Sequence, residues 1–348
     1  MPACEKRARA LERSARTVPP ATAHPGDRRS LASPSVASRP LPVTVVIPAF
    51  RRADMLERAI TSVLAQREQP AEILVVDDAS GDETGARAEA LGVRVMTHDL
   101  NRGRSAARNS GLHAARQEWI ALLDSDDEWL PHHLETLWKA RGGHDLVGTA
   151  ALVVGQQDDD GRHVRGWAGR HPCVLRGPAD VATPENKFVS SGVMIRRAAA
   201  LEAGGFRPEL ERAEDLDLWL RMLANGSGLA LPYVTVLYRV HPAQITTDLE
   251  RMRIAHREVM NTYRDRPWST RWLRERQEGA LAWDEARQAL SEGAPRLHTV
   301  RRLLQGLASP GRVSGLASLL AGRYRSRRLA ARASRTLGIA TLRNAAGP

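Results

Sequence analysis

Two apolar runs in this chain, Glu72-Ile73-Leu74-Val75-Val76 and Trp119-Ile120-Ala121-Leu122-Leu123, each end in clustered aspartates: Asp77-Asp78 after the first, Asp124-Ser125-Asp126-Asp127 after the second. Short apolar runs bounded by turn residues read as buried strands. The segments around them alternate in type. Val43 to Pro48 is a β-branched run, and Met55, Leu56, Ala59, Ile60, Val63 and Leu64 then recur at helical spacing behind Asp54, a cap candidate with Glu57 three residues on. A helix through Arg87 to Leu91 leads to a strand at Val93-Arg94-Val95-Met96, and another helix reaches about Ala115. Strand and helix alternating in this way predict an α/β chain built on a parallel sheet, with ligands at the carboxyl edge of the strands.

Clustered carboxylates at such an edge raise one another's pKa or recruit a divalent cation, and their oxygens suit Mg2+ or Mn2+. The competing reading of Asp124 to Asp127 is an acidic helix cap, since Pro131 follows and opens a new helix. Arg102, Arg104 and Arg108 bracket Gly103 at the start of a helix, where free N–H groups attract phosphate. A solvated arginine face is the alternative there, and a buried, backbone-satisfying amide is the alternative for Asn109. Glu214-Asp215 opens a helix carrying Leu216, Leu218, Trp219, Leu220, Met222 and Leu223, and Gly226 closes it. Asp217, two positions on, faces another way. Ser190-Ser191-Gly192 makes a small-residue entrance to a short strand, and a strand through Leu237-Tyr238-Arg239-Val240 ends in His241.

Five of these segments, in this order, resemble glycosyltransferase family 2: Val45-Val46-Ile47-Pro48-Ala49-Phe50, Val76 to Ser80, Asn101 to Asn109, Asp124 to Asp127, and Glu214 to Arg221. The resemblance covers residues 42 to 241. It implies an α/β GT-A fold, the Rossmann-like fold of nucleotide-diphospho-sugar transferases, followed by a C-terminal helical region. The implied activity is inverting transfer of a sugar from a nucleotide-diphosphate sugar, a UDP-sugar first among the candidates. The acceptor would be a saccharide or a lipid-linked acceptor, in polysaccharide or glycolipid synthesis. By the same resemblance Pro48, Phe50, Asp78, Arg104, Asn109 and Asp126 bind the donor, with Phe50 against the nucleobase unless it only packs in the core. Asp126 and Asp127 hold Mn2+ or Mg2+ and reach the sugar, Asp124 supports their loop, and Asp215 is the general base. In some relatives a histidine near His241 completes the metal shell. Two rivals remain open: a nucleotidyltransferase of related fold, which uses two-metal chemistry and lacks the Glu-Asp base, and a non-catalytic sugar-nucleotide-binding or scaffold protein.

The rest of the chain sets the context. Residues 1–41, rich in Arg, Ala, Ser and Pro, read as a disordered basic segment, 42–248 as the catalytic domain and 249–348 as a helical, arginine-rich region. Cys4 and Cys173 are the only cysteines, so no disulfide framework exists and a reducing cytoplasm suits the chain. Neither a signal-like apolar segment nor an apolar stretch of about eighteen residues occurs. From Arg296 onward there are eleven arginines and no acidic residue, equal to the net charge of +11 of the whole chain. Val300, Leu303, Leu304, Leu307, Leu316, Leu319 and Leu320 recur among those arginines, which predicts basic amphipathic helices interrupted near Pro310. Such helices either lie on the anionic inner face of a membrane or cap the catalytic domain with a solvated arginine face. Nucleic acid is not expected as a partner, because the tail is poor in aromatic residues.

Overall fold

The computed structural model describes residues 39–155, 164–182, 187–241, 249–291, 300 and 310–337. Residues 1–38 of the segment expected to be disordered, and Leu303, Leu304 and Leu307 of the tail, lie outside the described residues.

The first strand, β1 (Leu41–Ala49), is buried along nearly its whole length, as a continuous apolar run requires of a central parallel strand. β2 (Pro70–Asp77) and β4 (Trp119–Leu122) flank it in parallel, and β3 (Arg94–Thr97) adds to β2. β5 (Glu128–Trp129), β6 (Leu146–Val154), β7 (Val164–Arg165), β8 (Cys173–Leu175), β9 (Val193–Arg196) and β10 (Gly228–Arg239) extend the sheet in the order β3-β2-β1-β4-β9-β6-β10-β5. β7 pairs with β6, and β8 with β10. The sheet is therefore mixed rather than parallel throughout. β9 runs antiparallel to both β4 and β6, and it follows a short turn at Ser190–Gly192.

Helices cover both faces: α1 (Ala53–Leu64), α2 (Thr84–Ala90), α3 (Arg104–Ala114), α4 (His133–Ala140), α5 (Pro178–Val181), α6 (Arg197–Glu202) and α7 (Glu214–Met222). Then come α8 (Leu249–Thr262), α9 (Arg271–Ser291) and α10 (Pro310–Leu337). Neighbours along β1 alternate between the two cores: Val45 packs with Leu56, Ile60 and Val63 of α1, while Val46 packs with Leu112 of α3 and Ile120 of β4. The capping box expected at Asp54 and Glu57 does not form. α1 starts at Ala53 with Arg52 at the cap position, and Asp54 instead reaches Arg87 at 2.6 Å. Gly111 lets α3 press on β1, since a Cβ there would lie 2.3 Å from Val46 Cγ1.

The C-terminal helices are packed against the sheet domain. Tyr263, just after α8, donates its hydroxyl to buried Asp217 of α7 at 2.6 Å. Leu329, Ala330 and Ala333 of α10 join Leu152 of β6 and Val164 of β7 in one apolar cluster. Ser326 of α10 both donates to the Val164 carbonyl and accepts its N–H, each at 2.9 Å. Pro310 opens α10, in keeping with proline's fitness for a first helical turn. No described helix is long and apolar enough to cross a membrane.

Candidate functional site

The carboxyl ends of β1, β2 and β4 open on one cleft of about 720 Å3, within the usual size for a small-molecule site. Its β1 wall is Pro48, Ala49 and Phe50. Phe50 is 39% exposed rather than core-packed, with the Arg51 guanidinium 5.1 Å from its ring centroid.

Adjacent Asp77 and Asp78 separate as their opposite pleats demand. Asp77 turns inward and accepts from the Ser80 hydroxyl and backbone N–H. Asp78 lines the cleft and accepts from the N–H groups of Arg102 at 2.9 Å and Gly103 at 2.7 Å, with His98 Nδ1 at 2.7 Å. It thus ties the end of β2 to the turn that starts α3. Gly103 occupies φ +84 there, a conformation that only glycine adopts without strain.

The arginines of α3 divide by depth. Arg104 lines the cleft, bonded to both carboxylate oxygens of Glu214. Arg108 is buried, gripping Asp124 at 2.5 Å and Glu214 at 2.7 Å. Burial opposes its charge, but the Asp124 and Glu214 carboxylates outweigh that and push its pKa up. Burial likewise works against the charge of Asp124, and Arg108 overrides it to hold the carboxyl below the usual range. Arg108 thus lies deeper in the cleft wall, its charge paired with two carboxylates. Asn109 is not among the residues lining this cleft: its amide donates to the Phe206 carbonyl at 2.6 Å and accepts the Phe206 N–H at 2.8 Å, the backbone-satisfying alternative.

The acid cluster also splits. Asp126 lines the cleft, and its Oδ2 meets the Arg52 guanidinium and, at 3.0 Å, His241 Nε2. Asp127 points the other way and departs from its expected place as a metal ligand. It is buried, accepting from the Ser191 hydroxyl at 2.5 Å and the Arg239 N–H at 2.9 Å. Burial, then the charges of Asp126 and Asp124, raise its pKa well above the carboxylate range. Among the described residues no group of three histidine, cysteine or acidic side chains forms a ready metal cage. The oxygen of Asp126 and nitrogen of His241 nevertheless fit a divalent cation whose other ligands come from a bound diphosphate, as is usual for Mg2+ and Mn2+. The guanidinium of Arg52 already places positive charge there.

On the other side lies Asp215, in the first turn of α7. Ser190 donates to its Oδ2 at 2.9 Å, and the Leu216 N–H to its Oδ1 at 2.7 Å. Glu214 beside it is buried, and burial raises its pKa against the pull of Arg104 and Arg108. Asp217 faces away into a cluster with Arg207, Arg221 and Tyr263. Left-handed, non-glycine backbone occurs at Arg51, Ala79 and Ala213, immediately beside Phe50, Asp78 and Glu214. Strain of this kind concentrates where surrounding structure fixes a site.

The residues 44–205 match the model of glycosyl transferase family 2. The chain is 30% identical over 260 residues to an uncharacterised protein of Mycobacterium tuberculosis, covering 70% of this chain and 80% of that one. It is 32% identical over 234 residues to the succinoglycan biosynthesis protein ExoO of Rhizobium meliloti, covering 63% of this chain and 65% of that protein. The chain belongs to glycosyltransferase family 2. Its fold is GT-A, shared with residues 1–349 of Staphylococcus aureus TarS, solved with UDP-GlcNAc, at a TM-score of 0.54 and 18% identity over 85% of this chain and 92% of that one.

In this glycosyltransferase several cleft residues carried no sequence signal of their own. Arg52 sits in an unremarkable Arg-Arg pair, Arg165 on a strand, and Met252 and His256 on α8 far along the chain. Of these only Arg52, flanking a recognisable motif, could have been suspected, whereas Ser190 and Tyr238 lie in segments already singled out from the sequence.

Proposed function

We propose that this enzyme transfers a sugar with inversion from a nucleotide-diphosphate sugar, foremost a UDP-sugar, to a hydroxyl of a saccharide or lipid-linked acceptor. The observation carrying this reading is that Asp215 lines the same cleft as Asp78 and Asp126, with its hydrogen bonds coming from Ser190 and the Leu216 N–H. Pro48, Phe50 and Asp78 are placed to receive the nucleoside, and Arg104 the phosphates. A carboxylate held by Ser190 and the Leu216 N–H takes the proton from the acceptor hydroxyl as that oxygen attacks the anomeric carbon opposite the departing nucleotide. A single displacement of this kind inverts configuration. Asp126 and His241 would hold Mn2+ or Mg2+, which when bound supplies charge neutralisation for the leaving diphosphate. The name of ExoO supports an acceptor in polysaccharide synthesis.

A nucleotidyltransferase reading is less supported, because two-metal chemistry needs several uncommitted carboxylates in the cleft, whereas Asp127 is buried and Asp124 is paired with Arg108. The outward side of α10 exposes Val313, Leu320 and Tyr324 beside Arg327 and Arg328, which supports peripheral contact with an anionic inner leaflet and hence a cytoplasmic site of action.

The test is a nucleotide-sugar panel with Mn2+, reading nucleotide release and product anomeric configuration by NMR. Asp215→Asn should lower transfer by about 10²-fold or more, the scale of a general base, with donor affinity kept. A retained anomeric configuration would refute the displacement.

A further inference from the structure

Two cleft residues, Met252 and His256, come from α8, which follows the last strand of the sheet. They are four residues apart, so they share one helical face. The same face continues into the core further along: Ala255, Val259, Met260 and Tyr263 pack beside Trp219, and Tyr263 is bonded to Asp217. The helix is therefore held rigidly with the Met252–His256 face turned to the cleft.

His256 has no hydrogen-bonding partner among the described residues, although it lies deep enough that burial lowers its pKa, with the charge of nearby Asp215 pulling the other way. The imidazole is thereby kept neutral at neutral pH, one nitrogen a donor and the other an acceptor. Strand order separates this corner from the nucleotide side. Phe50 and Asp78 stand at the ends of β1 and β2, whereas Asp215 is tied to Ser190 at the entrance of β9, on the far side of β4. What lies beside Asp215 on that side is the group that Asp215 deprotonates.

We infer that Met252 and His256 form the acceptor wall, where His256 hydrogen-bonds a hydroxyl of a neutral saccharide next to the attacking one and Met252 packs on the sugar's apolar face. This rests on the function proposed above and names its acceptor class. A vicinal hydroxyl held by His256 orients the attacking oxygen against Asp215, so His256 acts as a specificity-determining contact and takes no proton in the transfer.

The experiment uses the full chain with the nucleotide-sugar it hydrolyses fastest and a panel of neutral p-nitrophenyl glycopyranosides as acceptors. The readout is the ratio of transfer to hydrolysis in wild type, H256A, H256Q and M252A, because water as acceptor does not need the wall. The ratio should fall about 10-fold or more in H256A, with the acceptor KM raised, as for loss of a buried hydrogen bond. H256Q, which keeps a donor and an acceptor, should recover part of it, and M252A should raise the acceptor KM. An unchanged ratio in both His256 variants overturns the inference and leaves the glycosyltransferase reading standing. A wild type that hydrolyses the donor but glycosylates no panel member overturns the neutral-saccharide assignment. A wild type that hydrolyses no nucleotide-sugar overturns the function itself.

Discussion

Asp126 and Asp127 differ by one position and by everything around them. One faces the cleft beside Arg52 and His241, and the other is sealed beneath Ser191 and the Arg239 N–H. Asp126→Asn is expected to cut Mn2+-dependent turnover by about 10²-fold, whereas Asp127→Asn should spare much of it and cost about 1–3 kcal/mol of stability by removing one accepting oxygen. Titrating Mn2+ activation and measuring urea midpoints for both variants checks the pair, and equal loss of Mn2+ activation would reverse the assignment. The acid cluster was legible as a cluster, but a run of aspartates does not say which carboxylate faces out. That depends on Ser191 and Arg239, 64 and 112 residues away, which fill the inward side. The depth of Arg108 was hidden for a related reason: it is set by Glu214, 106 residues on.

Among the elements, the β1-α1-β2 and α3-β4 alternation could be read because each has one dominant period. The part of the sheet built by β7 and β8 could not, since these strands of two and three residues show no repeat and pair with distant partners. The place of α8 in the cleft was equally hidden, because two side chains four apart signal a face and not what it meets. α4 carries a testable consequence of its own. His133 is fully buried, stacked on Trp129 at 4.2 Å and bonded through Nδ1 to Thr235 at 2.7 Å, and burial drives its pKa down to about 3. The unfolded chain binds a proton there near pH 6.5, so between those values unfolding takes up protons. The stability is intact above about pH 6.5 and is lost as pH falls, by about 1.4 kcal/mol per unit. Thermal unfolding from pH 7.5 to 4.5 should show this slope, and His133→Asn should flatten it.

For the whole molecule, the arginine excess resides after Arg296, and α10 carries part of it on a helix whose inner side is committed to β6 and β7. The two tail readings thus call on different faces of one helix. Binding to anionic vesicles should be measurable at low salt, fall steeply as the Debye length shrinks to about 8 Å near physiological ionic strength, and weaken in Tyr324→Glu. Sedimentation with vesicles at two salt concentrations checks this, and salt-independent binding would exclude an electrostatic cause. The inner side has a different consequence. β7 is a short outer strand, and Ser326 serves it as a surrogate neighbour, occupying both the N–H and the C=O of Val164. Removing α10 leaves these groups open as a template for another chain. A protein ended at Ser309 should therefore lose more than stability: it should self-associate with rising concentration by light scattering, and Ser326→Ala in the full chain should show the same tendency more weakly. The tail would then be what keeps the enzyme from polymerising through its own sheet.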